Sequence, residues 1–107
     1  DYVEKTAYEI INNIPTTFSL SQNYPNPFNP TTKLDYNLPL RSKVNISIYN
    51  VLGQEIKTLV NEVKEYGYHS VSWNGNDSKG RQMSSGVYFA RITSQSFIKT
   101  RKMLLVK

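Results

Sequence analysis

The sequence predicts an all-β protein, an antiparallel β-sandwich of about seven strands. Three observations predict it. From Phe18 onward, short runs of apolar, β-branched and aromatic residues are separated by turn residues at intervals of roughly 8 to 12. No segment sustains a helical period over a useful length. The 107 residues include eight Tyr, four Phe and one Trp at 38% apolar content, which is material for one modest core and not for two.

The elements follow in order. Residues 1–17 lack a sustained period, and Asn12-Asn13 and Pro15 interrupt the apolar positions Tyr8, Ile10, Ile11 and Ile14, so this stretch reads as a linker from an upstream domain. The sandwich is expected over 18–107. Phe18–Ser21 opens it. Thr32–Leu38 alternates with Leu34, Tyr36 and Leu38 on one face, and Lys43–Tyr49 places Val44, Ile46 and Ile48 in the core with Tyr49 opposite. Leu52-Gly53 is a turn. Gln54–Val63 forms a less regular strand in which Leu59-Val60 breaks alternation and predicts a bulge. Gly67 restarts a strand through His69, Val71 and Trp73. After the loop Asn74–Gly80 come a short extended piece at Gln82-Met83, a strand over 87–93 and a last strand from Phe97 to Val106. Short hairpin links without a long helix make this an immunoglobulin-like sandwich, and the absence of a Cys…Trp…Cys pattern excludes the antibody subtype.

The net charge of +5 is unevenly placed: residues 1–78 carry eight acidic and six basic residues, and from Lys79 onward there are seven basic residues and no acidic one. That C-terminal third suits an anionic partner such as an acidic protein or lipopolysaccharide phosphate, or else a solvated face whose edge lysines discourage aggregation. With no cysteine there is no disulfide, thiolate metal site or thiol nucleophile. No apolar run approaches the roughly 20 residues of a membrane span, and no signal-peptide core is present. The chain reads as a fragment or processed product whose last strand is a feature to be captured by another protein.

Candidate sites are few. Pro25, Pro27 and Pro30 stiffen the segment Ser21–Thr31, which suits either a structural corner between sheets, with Tyr24 and Phe28 packed on the sandwich edge, or a pre-ordered recognition arm. Trp73–Gly80 has the oxygen-rich look of a calcium loop, but Asp77 is its only carboxylate; a turn in which Asn74 and Asp77 bond their own backbone is the better account, with Trp73 as a core anchor. His69 is the only histidine and is expected to be half-buried and satisfied, since one histidine makes neither a paired metal site nor, without a serine elbow, a triad. Asp35, Glu55, Glu62 and Glu65 fall on solvent positions, not in a glycosidase pair. No nucleic-acid signature is present. Neither catalysis nor a cofactor or metal is expected.

Five ordered blocks, Phe18–Pro30, Ile48–Glu55, Trp73-Asn74-Gly75, Ser85–Tyr88 and Lys102–Lys107, resemble the type A C-terminal sorting domain of the type IX secretion system. The domain is also similar to the immunoglobulin-like domain of flagellar hook-capping proteins. The resemblance covers 18–107 and implies a non-enzymatic sorting tag on a larger exported cargo. Such a tag passes through the periplasm and the outer-membrane translocon to the cell surface or medium, and a sortase-like peptidase often removes it and attaches the cargo to anionic lipopolysaccharide. By position, the recognition residues implied are Tyr24, Pro25, Asn26, Pro27, Gly86, Tyr88, Lys102, Met103, Leu104, Leu105, Val106 and Lys107. A cut is implied around Asn12–Thr17. A last strand with unpaired backbone groups would suit strand addition to a partner sheet. The alternative is a structural or adhesive module that self-associates, packs on an upstream enzyme, or binds carbohydrate through Tyr24, Tyr66 and Tyr68.

Overall fold

In the computed structural model, residues 14–107 are described; residues 1–13 of the expected linker, with Asn12 and Asn13 of the implied cleavage region, lie outside them. Seven strands follow: β1 (Ser19–Leu20), β2 (Thr32–Leu38), β3 (Ser42–Tyr49), β4 (Glu55–Lys64), β5 (Gly67–Trp73), β6 (Gly86–Ser94) and β7 (Phe97–Leu105). They form a three-stranded sheet, β1-β2-β5, and a four-stranded sheet, β4-β3-β6-β7, with every pairing antiparallel. The expected immunoglobulin-like sandwich is therefore what the chain adopts.

Period-two alternation fixes the core. Leu34, Tyr36 and Leu38 of β2 and Trp73 of β5 are buried from the three-stranded sheet, and from the four-stranded sheet come Val44, Ile46 and Ile48 of β3, Ala90 and Ile92 of β6, and Met103 and Leu105 of β7. One residue of slip would turn each of these sets to solvent, so burial on one face pins the register. The bulge expected near Leu59-Val60 is present: Ile46 pairs with Val60 and Ser47 with Thr58, leaving Leu59 as the extra residue, and a second shift falls at Ile56.

The short extended piece expected at Gln82-Met83 amounts to a single bridge from Gln82 to Asn76. Three details differ from the sequence reading. The proline segment does not carry the chain between sheets, because β1 and β2 belong to the same one. Within it, Phe28 packs into the core but Tyr24 is 79% exposed. In the 74–80 loop, Asn74 is exposed and Asp77 organises the turn. Asp77 Oδ1 accepts from the backbone N–H groups of Lys79 and Arg81, and its Oδ2 from Arg81 Nε at 2.8 Å. These donors, the Arg81 backbone N–H foremost, hold its pKa below the ordinary carboxylate value. His69 is half-buried, stacks on Tyr36 at 5.1 Å and donates from Nε2 to the Glu65 carbonyl. No helix among the described residues is long and apolar enough to cross a membrane.

Candidate functional site

The site begins with β7, the outer strand of the four-stranded sheet. Its register with β6 sets Met103 opposite Tyr88 and Leu105 opposite Gly86. Alternation then gives β7 two faces: Met103 and Leu105 are fully buried, while Lys102, Leu104, Val106 and Lys107 are exposed. Tyr88 is also buried, donating its hydroxyl to the Ser84 carbonyl at 2.8 Å. Tyr88, Met103 and Leu105 thus position the strand and offer no side chain to a partner. Gly86 opens β6 at φ +154°, and beyond it Ser85 Oγ accepts from the Lys107 N–H at 3.0 Å.

The edge of β7 that strand addition would need is already occupied by the proline arm. Phe28 donates its N–H to the Leu104 carbonyl and accepts from the Val106 N–H, both at 2.9 Å, in a one-residue parallel bridge. Asn26 Oδ1 takes the Leu104 N–H at 3.0 Å, and Gln22 Nε2 donates to the Lys102 carbonyl at 2.7 Å. Further back, Arg101 Nε reaches the Leu20 carbonyl at 2.8 Å. The expectation of a free terminal edge is corrected: backbone groups left unpaired at an edge are a liability, and the arm covers them over Lys102–Val106.

The arm is held by its own chemistry. Phe28 is buried against Trp73, with ring centroids 5.6 Å apart, and Trp73 meets Tyr88 edge-on at 5.3 Å. Trp73 Nε1 is satisfied by the Asn76 carbonyl at 2.8 Å. Asn23, itself buried, donates to Thr32 Oγ1 and to the Pro25 carbonyl, and Thr32 Oγ1 donates to that same carbonyl at 2.8 Å. At Gly75, with φ +78°, a Cβ would come within 3.1 Å of the Pro30 carbonyl oxygen, so glycine permits the arm's close approach.

The fold therefore gathers two clusters nearly eighty residues apart in sequence. Tyr24, Pro25, Asn26 and Pro27 are all exposed and lie on the arm that crosses Lys102, Leu104 and Val106. The joint surface is apolar with two lysines, Lys102 and Lys107, that are ion-paired with nothing among the described residues. Among the described residues no three metal-ligating side chains come together. Phe28 packs as the structural-corner reading expects, whereas the anchoring bonds of Gln22, Asn23 and Thr32 were not singled out from the sequence; amide and hydroxyl side chains flanking three prolines were the available signal, since a stiff arm still needs bonds to anchor it. Of the exposed tyrosines, Tyr24 bridges Lys33 while Tyr68 pairs with Asn37, four residues along β2, or roughly 13 Å.

Two sheets in this order with a buried tryptophan and no disulfide define a small immunoglobulin-like β-sandwich domain. Residues 28–96 match the FlgD Ig-like domain, and the chain belongs to that family. Among solved structures it is similar to FlgD from P. aeruginosa, at 28% identity and TM-score 0.55 over 69% of this chain and 57% of that one. It also resembles PorZ of Porphyromonas gingivalis, a bacterial surface component of the type IX secretion system, at 18% identity and TM-score 0.57 over 97% of this chain and 13% of that one. Dimeric latent PorU from the same organism is similar at 16% identity and TM-score 0.66, over 84% of this chain and 9% of that one. The last two likenesses are of fold. The chain spans little more than half of the FlgD structure and a small part of the other two. No curated protein sequence matches it.

Proposed function

We propose that this domain is a non-enzymatic sorting domain of the type IX secretion system, carrying an upstream cargo domain to the cell surface or medium. The observation that supports it most is the composite surface. The arm and the closing block are the first and last of the five blocks that resemble the sorting family, and they meet as one exposed patch. Neighbours of the same fold that belong to that secretion system support the reading further. The partners are then the translocon and a sortase-like peptidase, and the unpaired lysines suit contact with anionic lipopolysaccharide. Because the edge of β7 is capped by the arm, the translocon reads a folded surface and not a bare strand.

The test is transport of a fluorescent protein fused to residues 13–107 in a type IX-competent host. Lys102→Ala/Lys107→Ala and Tyr24→Ala/Leu104→Ala alter only exposed side chains, and thermal melts check that both remain folded. The expected result is wild-type reporter at the surface or in the medium and both folded variants held in the periplasm. Wild-type reporter retained in the periplasm, while an established sorting domain exports the same protein, would overturn the proposal.

A further inference from the structure

The opposite edge of the four-stranded sheet, β4, is self-complementary. Read outward from the junction of Leu59 and Val60, Leu59 mirrors Val60, Thr58 mirrors Asn61, Lys57 mirrors Glu62, Ile56 mirrors Val63 and Glu55 mirrors Lys64. Two copies of β4 laid antiparallel in that register would set apolar against apolar, polar against polar and lysine against glutamate.

A regular strand cannot use such a register. Outward-facing backbone groups alternate with inward ones, so mirrored residues separated by an odd number would oppose an outward position to an inward one. The bulge removes this obstacle. The Lys43 carbonyl accepts from Ser94 Oγ and so faces β6. By alternation Val44, Ile46 and Ile48 turn their backbone groups to β4, where they meet Glu62, Val60 and Lys57. Because Leu59 is the extra residue, Thr58 and Asn61 both face outward. Side chains agree as well: Thr58 and Asn61 lie opposite Ser47 and Asn45, whereas Lys57 and Glu62 lie opposite the core residues Ile48 and Val44.

The central edge is open. From outside the sheet, the Ser78 N–H reaches the Ile56 carbonyl at 3.0 Å, beyond the 57–62 segment. Lys57 has no ion-pair partner among the described residues, and Glu62 holds only the neighbouring Lys64, at 2.9 Å. Bulges and edge lysines commonly protect a strand from pairing; here the bulge brings the mirrored positions into phase and the lysine has its complement five residues on. We propose that β4 is a self-recognition edge, through which two copies of this domain pair antiparallel over Lys57–Glu62 about a two-fold axis between Leu59 and Val60. The contact is isologous, so each Lys57 meets the Glu62 of the other copy.

Sedimentation of this chain from about 10 μM to about 1 mM tests it, a range suited to a short interface. Wild type is expected to dimerise with concentration. Lys57→Glu and Glu62→Lys each create two like-charge contacts and are expected to weaken the dimer about tenfold or more. An equimolar mixture of the two variants restores both opposite-charge pairs and is expected to form a heterodimer. Should either variant fail to fold, Thr58→Pro removes an outward N–H at an edge that tolerates proline and must also give monomer. A wild-type monomer across the range, a dimer indifferent to Lys57→Glu, or a mixture that stays monomeric would each overturn the proposal.

Discussion

Phe28 and Asp77 carry more of the arrangement than their neighbours. Phe28 is the one arm side chain that enters the core, filling the space between Trp73 and the end of β7. Phe28→Ala leaves a cavity there, and the expected cost is about 3–5 kcal/mol in a urea melt. Phe28→Leu should cost clearly less. Asp77 closes the loop that leads to β6, and its carboxylate is held below the ordinary range by the Arg81 and Lys79 donors. A group whose folded pKa is depressed stabilises above its unfolded pKa, near 3.9, and that contribution is lost as pH falls through the lower folded value. Wild type should therefore melt above Asp77→Asn at pH 7, and the gap between their Tm values should close on acidification below about pH 4. A gap that persists at low pH would mean that packing, not charge, separates the two.

Between elements, the arm and β7 act as a clasp. Asn26→Ala removes the acceptor for the Leu104 N–H but leaves both Phe28 backbone bonds in place. The expected effect is local: the Leu104 amide exchanges about tenfold faster, the factor that roughly 1.4 kcal/mol implies, while the Ile46 and Ile92 amides in the interior of the sheet keep their protection. Faster exchange across the whole sheet would show that the arm is instead part of the global folding unit. This clasp was only half legible in the sequence. Alternation in 32–38, 43–49 and 87–93 gave the strands and their buried faces because each has one side in the core. The broken alternation at Leu59-Val60 gave the bulge for the same reason. Proline stiffness announced an arm but not its destination, since the bonds to Lys102, Leu104 and Val106 join positions about eighty apart in sequence and have no local signature. Tyr24 is exposed where the structural-corner reading packs it beside Phe28, because a side chain beside a rigid turn need not be the one that packs. The resemblance implies a recognition role for every residue of the closing block, yet the pleat gives Met103 and Leu105 to the core.

For the whole molecule, the buried half of β7 ties the closing block to folding. Removing Met103–Lys107 takes away two fully buried side chains, Met103 and Leu105, each worth roughly 1.5–3 kcal/mol of burial. It also removes the strand segment that Phe28 bridges. A domain of this size has about 5–15 kcal/mol in total, so the truncated chain is expected to be largely unfolded at 37 °C. The signal of Trp73, buried between Phe28 and Tyr88, reports this directly: near-ultraviolet circular dichroism should collapse in the truncation. By contrast Leu104→Ser, Val106→Ser and Lys107→Ala change side chains already at the surface and should keep the wild-type spectrum. If the truncated chain retained the Trp73 signal and a cooperative melt, the closing strand would be dispensable for folding, and its loss could then be read as loss of a recognition surface alone.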